Sequence, residues 1–322
     1  MNRQIVSIRS FRGREGLRAI IDDWDRVTKS MEHRRFYHLY HWYESYIDAF
    51  ESDGAALHFF LMYRGSDPVA VFPLKRRSRN LLGVMVNGLE IPDHPNIDLS
   101  YFMLAKEEER GGVIALLINH LKEEAMTDWD LIFFPHLPED SSVFRSFAAF
   151  PYPFLIYEPV GKCDYIPCSS NEEIHNRISR NFGGSLRKAR NKLMREENVE
   201  FVSARRGSKL FRFFEEFIGV ESSGWKGEEG TGTAIKGSPE RMKFYRSLLE
   251  KCSETNGCEV NLLRIKGECI AGQLCLLGDD TVYVLKIGYN EEYSRLAPGN
   301  MLLENLIQRV SRDETIRYIN LT

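Results

Sequence analysis

The feature that most constrains this chain is a strand–turn–strand pattern that occurs twice, about 200 residues apart. Leu57 to Tyr63 is a strand-like apolar run that ends in Arg64-Gly65-Ser66-Asp67-Pro68, and Val69 to Leu74 reads as the return strand. Val260 to Ile265 ends in Lys266-Gly267-Glu268, and Ile270 to Leu277 returns. The surroundings of the two hairpins also agree. Leu81–Leu89 and Leu99–Leu104 read as strands after the first. An amphipathic helix follows over Glu107–Glu124, with Val113, Leu116, Leu117 and Leu121 on one face. Trp129–Phe134 is a mostly apolar run that suits a buried central strand. After the second hairpin come a strand over Thr281–Ile287, a helix over Asn300–Val310 and a strand over Ile316–Leu321. Helices precede each hairpin. The first fifty residues carry helical stripes (Leu17, Ile20, Ile21, Trp24, then Phe36, Tyr40, Tyr43, Ile47), and Leu210–Val220 and Arg241–Cys252 are helical in pattern. The order predicts an α/β (α+β) chain of two similar domains, residues 1–165 and 166–322. Each is expected to be a mostly antiparallel mixed sheet flanked by helices.

A length of 322 residues accommodates two domains of about 150 residues each. With 43% hydrophobic and 28% charged residues, a disordered or fibrous chain is excluded. A net charge of -3 argues against DNA binding through overall charge. The longest unbroken apolar run, Val113 to Ile118, is far short of the about 20 residues that span a bilayer. Met1-Asn2-Arg3-Gln4 lacks the apolar core of a secretory signal. Cys163, Cys168, Cys252, Cys258, Cys269 and Cys275 include no CxxC pair and have no histidine at zinc-site spacing. His38 and His41, three apart on one expected helix, have no third ligand at a metal spacing and read as aromatic-helix packing. The expectation is a reduced, cytoplasmic chain without disulfides or a metal site.

Between the halves lies a basic stretch. Arg177, Arg180, Arg187, Lys188, Arg190, Lys192 and Arg195 fall between Ile174 and Arg195 with no acidic residue among them. Leu186, Ala189 and Leu193 form one helical face there, and the cations occupy the others. Such a face is either simply solvated or holds an anionic ligand, which makes Arg187 and Arg190 candidate substrate-binding residues. Nearly no aromatic residues are interleaved, which argues against a single-strand nucleic-acid platform.

Two local sequences narrow the reading. Glu221-Ser222-Ser223-Gly224-Trp225-Lys226-Gly227, followed by Gly232-Thr233-Ala234-Ile235, resembles the GWKG…GTAI segment of the bacterial acetyltransferases linked to cellulose and exopolysaccharide synthesis. Lys286-Ile287-Gly288-Tyr289-Asn290-Glu291-Glu292-Tyr293, followed by Ala297-Pro298-Gly299-Asn300-Met301-Leu302-Leu303, is similar to the second signature of that family. The order of strands and helices is that of the GNAT acyltransferase core. The resemblance extends to the Fem-type aminoacyltransferases, which carry two such domains, and covers about residues 36–322. It implies tandem GNAT-like domains and transfer of an acyl group, with acetyl-CoA as donor. The acceptor would be a small molecule or a sugar or cell-envelope precursor. A Fem-like enzyme using aminoacyl-tRNA is the alternative, and a non-catalytic ligand-binding member is a third. The absence of a long coiled-coil insertion weighs against tRNA.

Acyl transfer needs a base for the acceptor, a hydrogen-bond donor for the developing oxyanion and a site for the donor's diphosphate. Glu221 is a candidate base, and Lys226, Lys286 and Tyr289 are further catalytic candidates, with Tyr289 placed to protonate a leaving thiolate. Pro298, Gly299 and Asn300 open a helix where a diphosphate can sit. They read equally as ordinary strand-to-helix turn chemistry. Trp225 is a candidate for contact with substrate, and a core tryptophan is its plainer reading. Asp93 and His94, in a polar loop, can form an oriented acid/base pair or simply cap a turn. Three departures stand beside the resemblance. The glycine-rich phosphate loop is reduced to Gly299, Asn290 and Asn320 stand where relatives often have aspartate, and the chain stops at Thr322 before the last elements expected of the second domain.

Overall fold

A computed structural model of the chain describes residues 6–51, 56–92, 102–106, 112–125, 129–134, 137, 139, 141–148, 161–168, 179–224, 226–227 and 230–321. The chain divides into two compact units, Met1–Gly161 and Lys162–Thr322.

The first unit begins with β1 (Val6–Arg12), α1 (Gly13–Ala19), α2 (Ile21–Lys29) and α3 (Tyr40–Phe50). The hairpin of β2 (Leu57–Arg64) and β3 (Asp67–Leu81) follows, then β4 (Val84–Glu90) and β5 (Met103–Leu104). The unit ends with α4 (Val113–His120), β6 (Leu131–Phe133) and α5 (Ser142–Ala148). Its sheet has the order β1-β2-β3-β4-β6, with β5 also on β3. All pairs are antiparallel except β4 with β6. Trp24, Phe36, Tyr37, Tyr43, Phe59 and Phe60 are fully buried, so an aromatic layer joins the N-terminal helices to the hairpin.

The second unit contains β7 (Tyr165–Pro167), α6 (Arg180–Leu193), β8 (Val199–Ala204), α7 (Gly207–Ser223) and α8 (Pro239–Glu254). The hairpin of β9 (Cys258–Ile265) and β10 (Glu268–Leu277) follows, then β11 (Thr281–Tyr289), α9 (Pro298–Val310) and β12 (Tyr318–Asn320). The sheet order is β7-β12-β11-β10-β9-β8, and the one parallel pair is β11 with β12. Both units therefore run strand, helices, antiparallel hairpin, third strand, helix and parallel strand. The two turns anticipated from the sequence take left-handed backbone, at Gly65 (φ 65°) in one and at Lys266 and Gly267 (φ 52° and 82°) in the other.

Some elements differ from the sequence expectation. β1 and β8 were not anticipated. Both are edge strands with a single neighbour, and neither carries the apolar run that marks a buried strand. β6 was expected at the sheet centre. It lies at an edge, and Phe133 is exposed. His38 and His41 do not share a helix, because Leu39 takes extended backbone between the turn Phe36–His38 and α3. His38 is buried, its Nδ1 accepts from the Arg35 amide at 3.0 Å, and burial lowers its pKa to about 3. Among the described residues no three His, Cys, Asp or Glu side chains gather in a way that could hold a metal ion. No described helix is long and apolar enough to cross a membrane.

In the second unit α7 packs Phe213, Phe214 and Phe217 on one face of the sheet, while α6 and α9 cover the other. The approach of α7 depends on Gly272 of β10, where a Cβ would lie 2.6 Å from Phe217 Cδ2 and 3.2 Å from Leu262 Cδ2. Gly272→Ala should therefore destabilise the fold by about 1–3 kcal/mol. Urea unfolding would show a lower midpoint at unchanged slope, and an unchanged midpoint would contradict this packing.

Candidate active site

The site is built around β11. Its parallel pairing with β12 covers Thr281 with Tyr318, Val282 with Ile319 and Tyr283 with Asn320, yet β11 continues to Tyr289. Beyond Tyr283 its partner among the described strands is β10 alone. The β10 register pairs Leu274 with Lys286 but Cys275 with Val284, so Leu285 is the extra residue of a bulge. A bulge bends its strand and increases the local twist. β11 and β12 thus form a fork, and no described strand pairs with the second half of β11 on that side, where the Ile287 carbonyl accepts from Lys226.

The two faces of that half-strand carry different groups. Lys286 and Gly288 lie opposite Leu274 and Gly272, on the face covered by α7. A Cβ on Gly288 would lie 2.5 Å from Glu221 Cα and 2.8 Å from Glu221 Cβ, so only glycine admits the last turn of α7 here. The segment after α7 then folds back. Gly224 sits where a Cβ would meet the Tyr289 carbonyl oxygen at 3.2 Å, and one on Gly227 would be 2.4 Å from the Ser222 carbonyl oxygen. The Ala234 amide donates to the Lys226 carbonyl (2.9 Å), and Arg241 Nη2 donates to the Gly232 carbonyl (3.1 Å). The Lys226 Nζ donates to the Ile287 carbonyl of β11 at 2.8 Å.

This folding encloses Glu221. The residue is 2% exposed. Its Oε2 accepts from the Ile235 amide at 2.9 Å, while Oε1 has no hydrogen-bond partner and lies 3.9 Å from Lys226 Nζ. Burial raises the Glu221 pKa above the ordinary carboxylate value, with the Ile235 amide, Lys226, Lys286 and Arg241 pulling against it. Burial likewise lowers the Lys226 pKa, aided by Lys286 and opposed by Glu221. Both groups are biased toward their neutral forms, the condition in which a carboxylate takes up a proton readily near neutral pH.

The opposite face carries Tyr289, which packs with Leu296, Met301 and the α6 residues Leu186, Ala189 and Leu193. Pro298 is the first residue of α9, and Ala297 before it takes left-handed backbone (φ 46°). A Cβ placed on Gly299 would lie 3.7 Å from Tyr289 Cδ1. The first-turn amides of α9 have no intrahelical acceptors, and Asn300 is exposed beside them. Arg190 Nε donates to Glu304 Oε2 of α9 at 3.2 Å, whereas Arg187 is exposed on α6.

The structure thus brings Glu221, Lys226 and Lys286 together on one face of β11 and Tyr289, Pro298, Gly299 and Asn300 on the other. Arg187 and Arg190 belong to the helix beside α9 and do not approach Glu221. Trp225, Asp93 and His94 lie outside the described residues. Asn290 caps the turn after β11, its Oδ1 accepting from the Glu292 amide at 3.0 Å. Asn320 ends β12 at the fork, where its Oδ1 is buried without a partner. Three contributors were missed in the sequence. The Ile235 amide and Arg241 leave no signal there, because a backbone donor and an inward guanidinium have no pattern of their own. Gly288 lay inside a quoted motif, but its role follows only from the helix packed on it. An open cleft of about 680 Å³ runs along α7 past the β9–β10 turn, lined in part by Arg212, Glu216, Ser223, Arg264 and Asn290. Its lining does not include Glu221, Lys226 or Lys286.

Comparison with known proteins agrees with this geometry. Residues 180–322 match the acetyltransferase (GNAT) domain family, which covers nearly all of the second unit. FemX, whose crystal structure is solved, resembles the chain with a TM-score of 0.58 at 11% identity, over 93% of this chain and 86% of that one. A conserved protein of unknown function from Bacteroides thetaiotaomicron gives 0.52 at 16% identity, over 94% and 87%. A C-terminal domain assigned to a lysylphosphatidylglycerol synthetase from Agrobacterium fabrum gives 0.51 at 11% identity, over 93% and 77%. No curated protein matches at comparable significance. The match gives residues 180–322 an acetyltransferase (GNAT) domain, and the solved structures share the fold of the chain.

The raised Glu221 pKa has a consequence for stability. A carboxyl whose folded pKa exceeds its unfolded pKa favours the fold below the unfolded value, and that contribution is lost as pH rises through the folded value. Glu221→Gln removes this titration. The variant should gain stability relative to the parent as pH rises from below the ordinary carboxylate pKa through the raised pKa of Glu221, read as a shift in the difference between their urea midpoints. A difference constant with pH would contradict the assignment.

Proposed function

We propose that the second unit transfers an acyl group from acyl-CoA, acetyl-CoA in particular, to an amine or hydroxyl of a sugar or cell-envelope precursor. One observation carries the reading. Glu221 is buried with one oxygen held by the Ile235 amide and the other without a hydrogen-bond partner, 3.9 Å from Lys226 Nζ, against the strand whose pairing with β12 ends at the fork.

The residues present fit the donor. A free strand edge can pair with an extended amide-bearing arm, and the open first turn of α9 suits a diphosphate. Pro298, Gly299 and Asn300 would hold the phosphate end, with Gly299 replacing the usual run of glycines. Acyl-CoA supplies an activated thioester when bound. Glu221 Oε1 takes the proton from the acceptor nitrogen or oxygen, whose lone pair forms the new bond to the acyl carbon as the carbon–sulfur bond breaks. The Tyr289 hydroxyl returns a proton to the departing sulfur. Lys226, fixed on the Ile287 carbonyl, keeps Glu221 available as a carboxylate, and Lys286 adds positive charge beside the pair. The polar lining of the cleft along α7, which ends at Ser223 and Asn290, favours a hydroxyl-rich acceptor. The acceptor type rests on the GWKG…GTAI resemblance.

A donor carried on tRNA is a second reading. Arg187, Lys188 and Lys192 are exposed on α6 and form the cationic face that motivates this reading. Titration with tRNA at several salt concentrations separates the two readings. Steep salt dependence that flattens on neutralising these three cations favours tRNA, and a shallow slope with tight acetyl-CoA binding favours the first reading.

Thiol release from acetyl-CoA in the presence of a panel of amino and neutral sugars tests the proposal. Glu221→Gln should lower kcat about 10²–10⁴-fold with little change in donor affinity, and parental kcat should rise with pH through a pKa above the ordinary carboxylate range. Undiminished turnover in Glu221→Gln would overturn the assignment of the base. Asn300→Glu should weaken acetyl-CoA binding about tenfold in calorimetry, because a carboxylate in the first helical turn competes with a phosphate. The same change leaves the fold intact, since an acidic residue there suits the helix dipole.

A further inference from the structure

The first unit carries a feature unrelated to acyl transfer. Between Arg77 and Val86, β3 and β4 pair only with each other among the described residues. β2 leaves β3 at Lys75, and β6 joins β4 only from Gly88. The hairpin therefore projects from its sheet as a two-stranded ribbon. Its tip is apolar. Leu81, Val84 and Met85 are 49%, 63% and 63% exposed, and Leu82 is fully exposed.

The turn makes this arrangement informative. Leu82 and Gly83 are the two central residues, with φ of 52° and 89°, and the Gly83 amide donates to Asn80 Oδ1 at 2.8 Å. Both central residues of such a turn need positive φ, a demand met by Asn-Gly and resisted by leucine. A strained, fully exposed leucine serves neither turn chemistry nor solubility. The apolar groups also point several ways. Leu81 pairs with Val84 on one face of the ribbon, Met85 lies on the other beside Asn80, and Leu82 caps the end. A protein groove covers one face of a ribbon, whereas a fluid apolar medium covers a tip from every side. Behind the tip the ribbon holds Arg77 and Arg79, and the chain has no carboxylate from Lys75 as far as Gly88. Glu51 pairs with Lys75, and Arg77 and Arg79 share the single carboxylate of Glu90, which leaves that pair of guanidiniums with net positive charge.

We infer that this ribbon is a membrane-docking element: Leu81, Leu82, Val84 and Met85 enter the acyl-chain boundary of a bilayer while the cations behind them meet anionic headgroups. A tip of this size gives reversible attachment, strengthened by negative surface charge. The inference is independent of the acyl-transfer reading.

Co-sedimentation of the full chain with vesicles tests it. One set is phosphatidylcholine alone, and the other is equal parts phosphatidylcholine and phosphatidylglycerol. The parent should partition onto the anionic vesicles and be released by salt. Leu82→Asn, which restores favourable turn chemistry, should weaken partitioning about tenfold while its Tm stays equal or rises. Met85→Ser, distant from the turn strain, should weaken it as well. Sedimentation velocity without vesicles accompanies each variant. Failure of the parent to bind anionic vesicles, or binding unchanged in Leu82→Asn and Met85→Ser, overturns the inference. So does a parent that self-associates through the tip, dissociates on substitution and ignores vesicles.

Discussion

The second unit depends on the interlock of two short segments about 60 residues apart, Glu221–Ile235 and Lys286–Tyr289. The last turn of α7 lies against β11 because Gly288 has no side chain. The chain then turns through Gly224 and Gly227, where a Cβ would meet backbone oxygen, and Lys226 anchors on the Ile287 carbonyl. These contacts are backbone-limited, so they tolerate little relaxation. They explain why glycine, lysine and glycine occur in that order: each position serves either the close approach or the anchor. The by-product of the interlock is an enclosed carboxylate with one oxygen satisfied and one oxygen waiting.

That carboxylate matters because of where β11 goes. Pairing with β12 ends at Tyr283, and the bulge at Leu285 bends the strand away from its former neighbour. An open strand edge is normally a liability, and proteins cover it or charge it. Here the exposed backbone lies between a face with Glu221, Lys226 and Lys286 and a face with Tyr289 and the start of α9. One face thus carries a buried carboxyl, and the other a phenol hydroxyl beside the first turn of a helix. An extended thioester lying along the edge would have its carbonyl between them. The same chain order in the first unit ends in a parallel pair of β4 with β6, but there the buried acid, Glu90, is taken up by Arg77 and Arg79.

Much of this was legible in the sequence, and the reasons are physical. The two hairpins were visible because Arg64-Gly65 and Lys266-Gly267 interrupt mostly apolar runs of strand length, and both turns sit where expected. Glu221, Lys226, Lys286 and Gly299 were singled out because they belong to, or adjoin, the two segments that resemble acetyltransferase signatures. The edge strands β1 and β8 were hidden, since a strand with one neighbour needs only weak apolar alternation. β6 misled in the opposite direction: an apolar run suggests a central strand, yet Phe133 is exposed at the sheet edge. The fork itself could not be read. It arises from where a hydrogen-bond ladder stops and where one residue is extra, and neither leaves a mark in residue types. Lys286 and Tyr289 fall on opposite faces by simple alternation, both lying beyond the bulge.

The central claim is that the free edge of β11, flanked by Glu221 and the start of α9, is where the acyl donor lies. A crystal structure with a non-hydrolysable thioether analogue of acetyl-CoA tests it most directly. The account predicts the extended arm hydrogen-bonded along β11 beyond Tyr283, its diphosphate at Pro298–Asn300 and its acyl carbon on the side facing Glu221. A donor bound elsewhere in the chain, with the β11 edge empty or closed by β12, would contradict it.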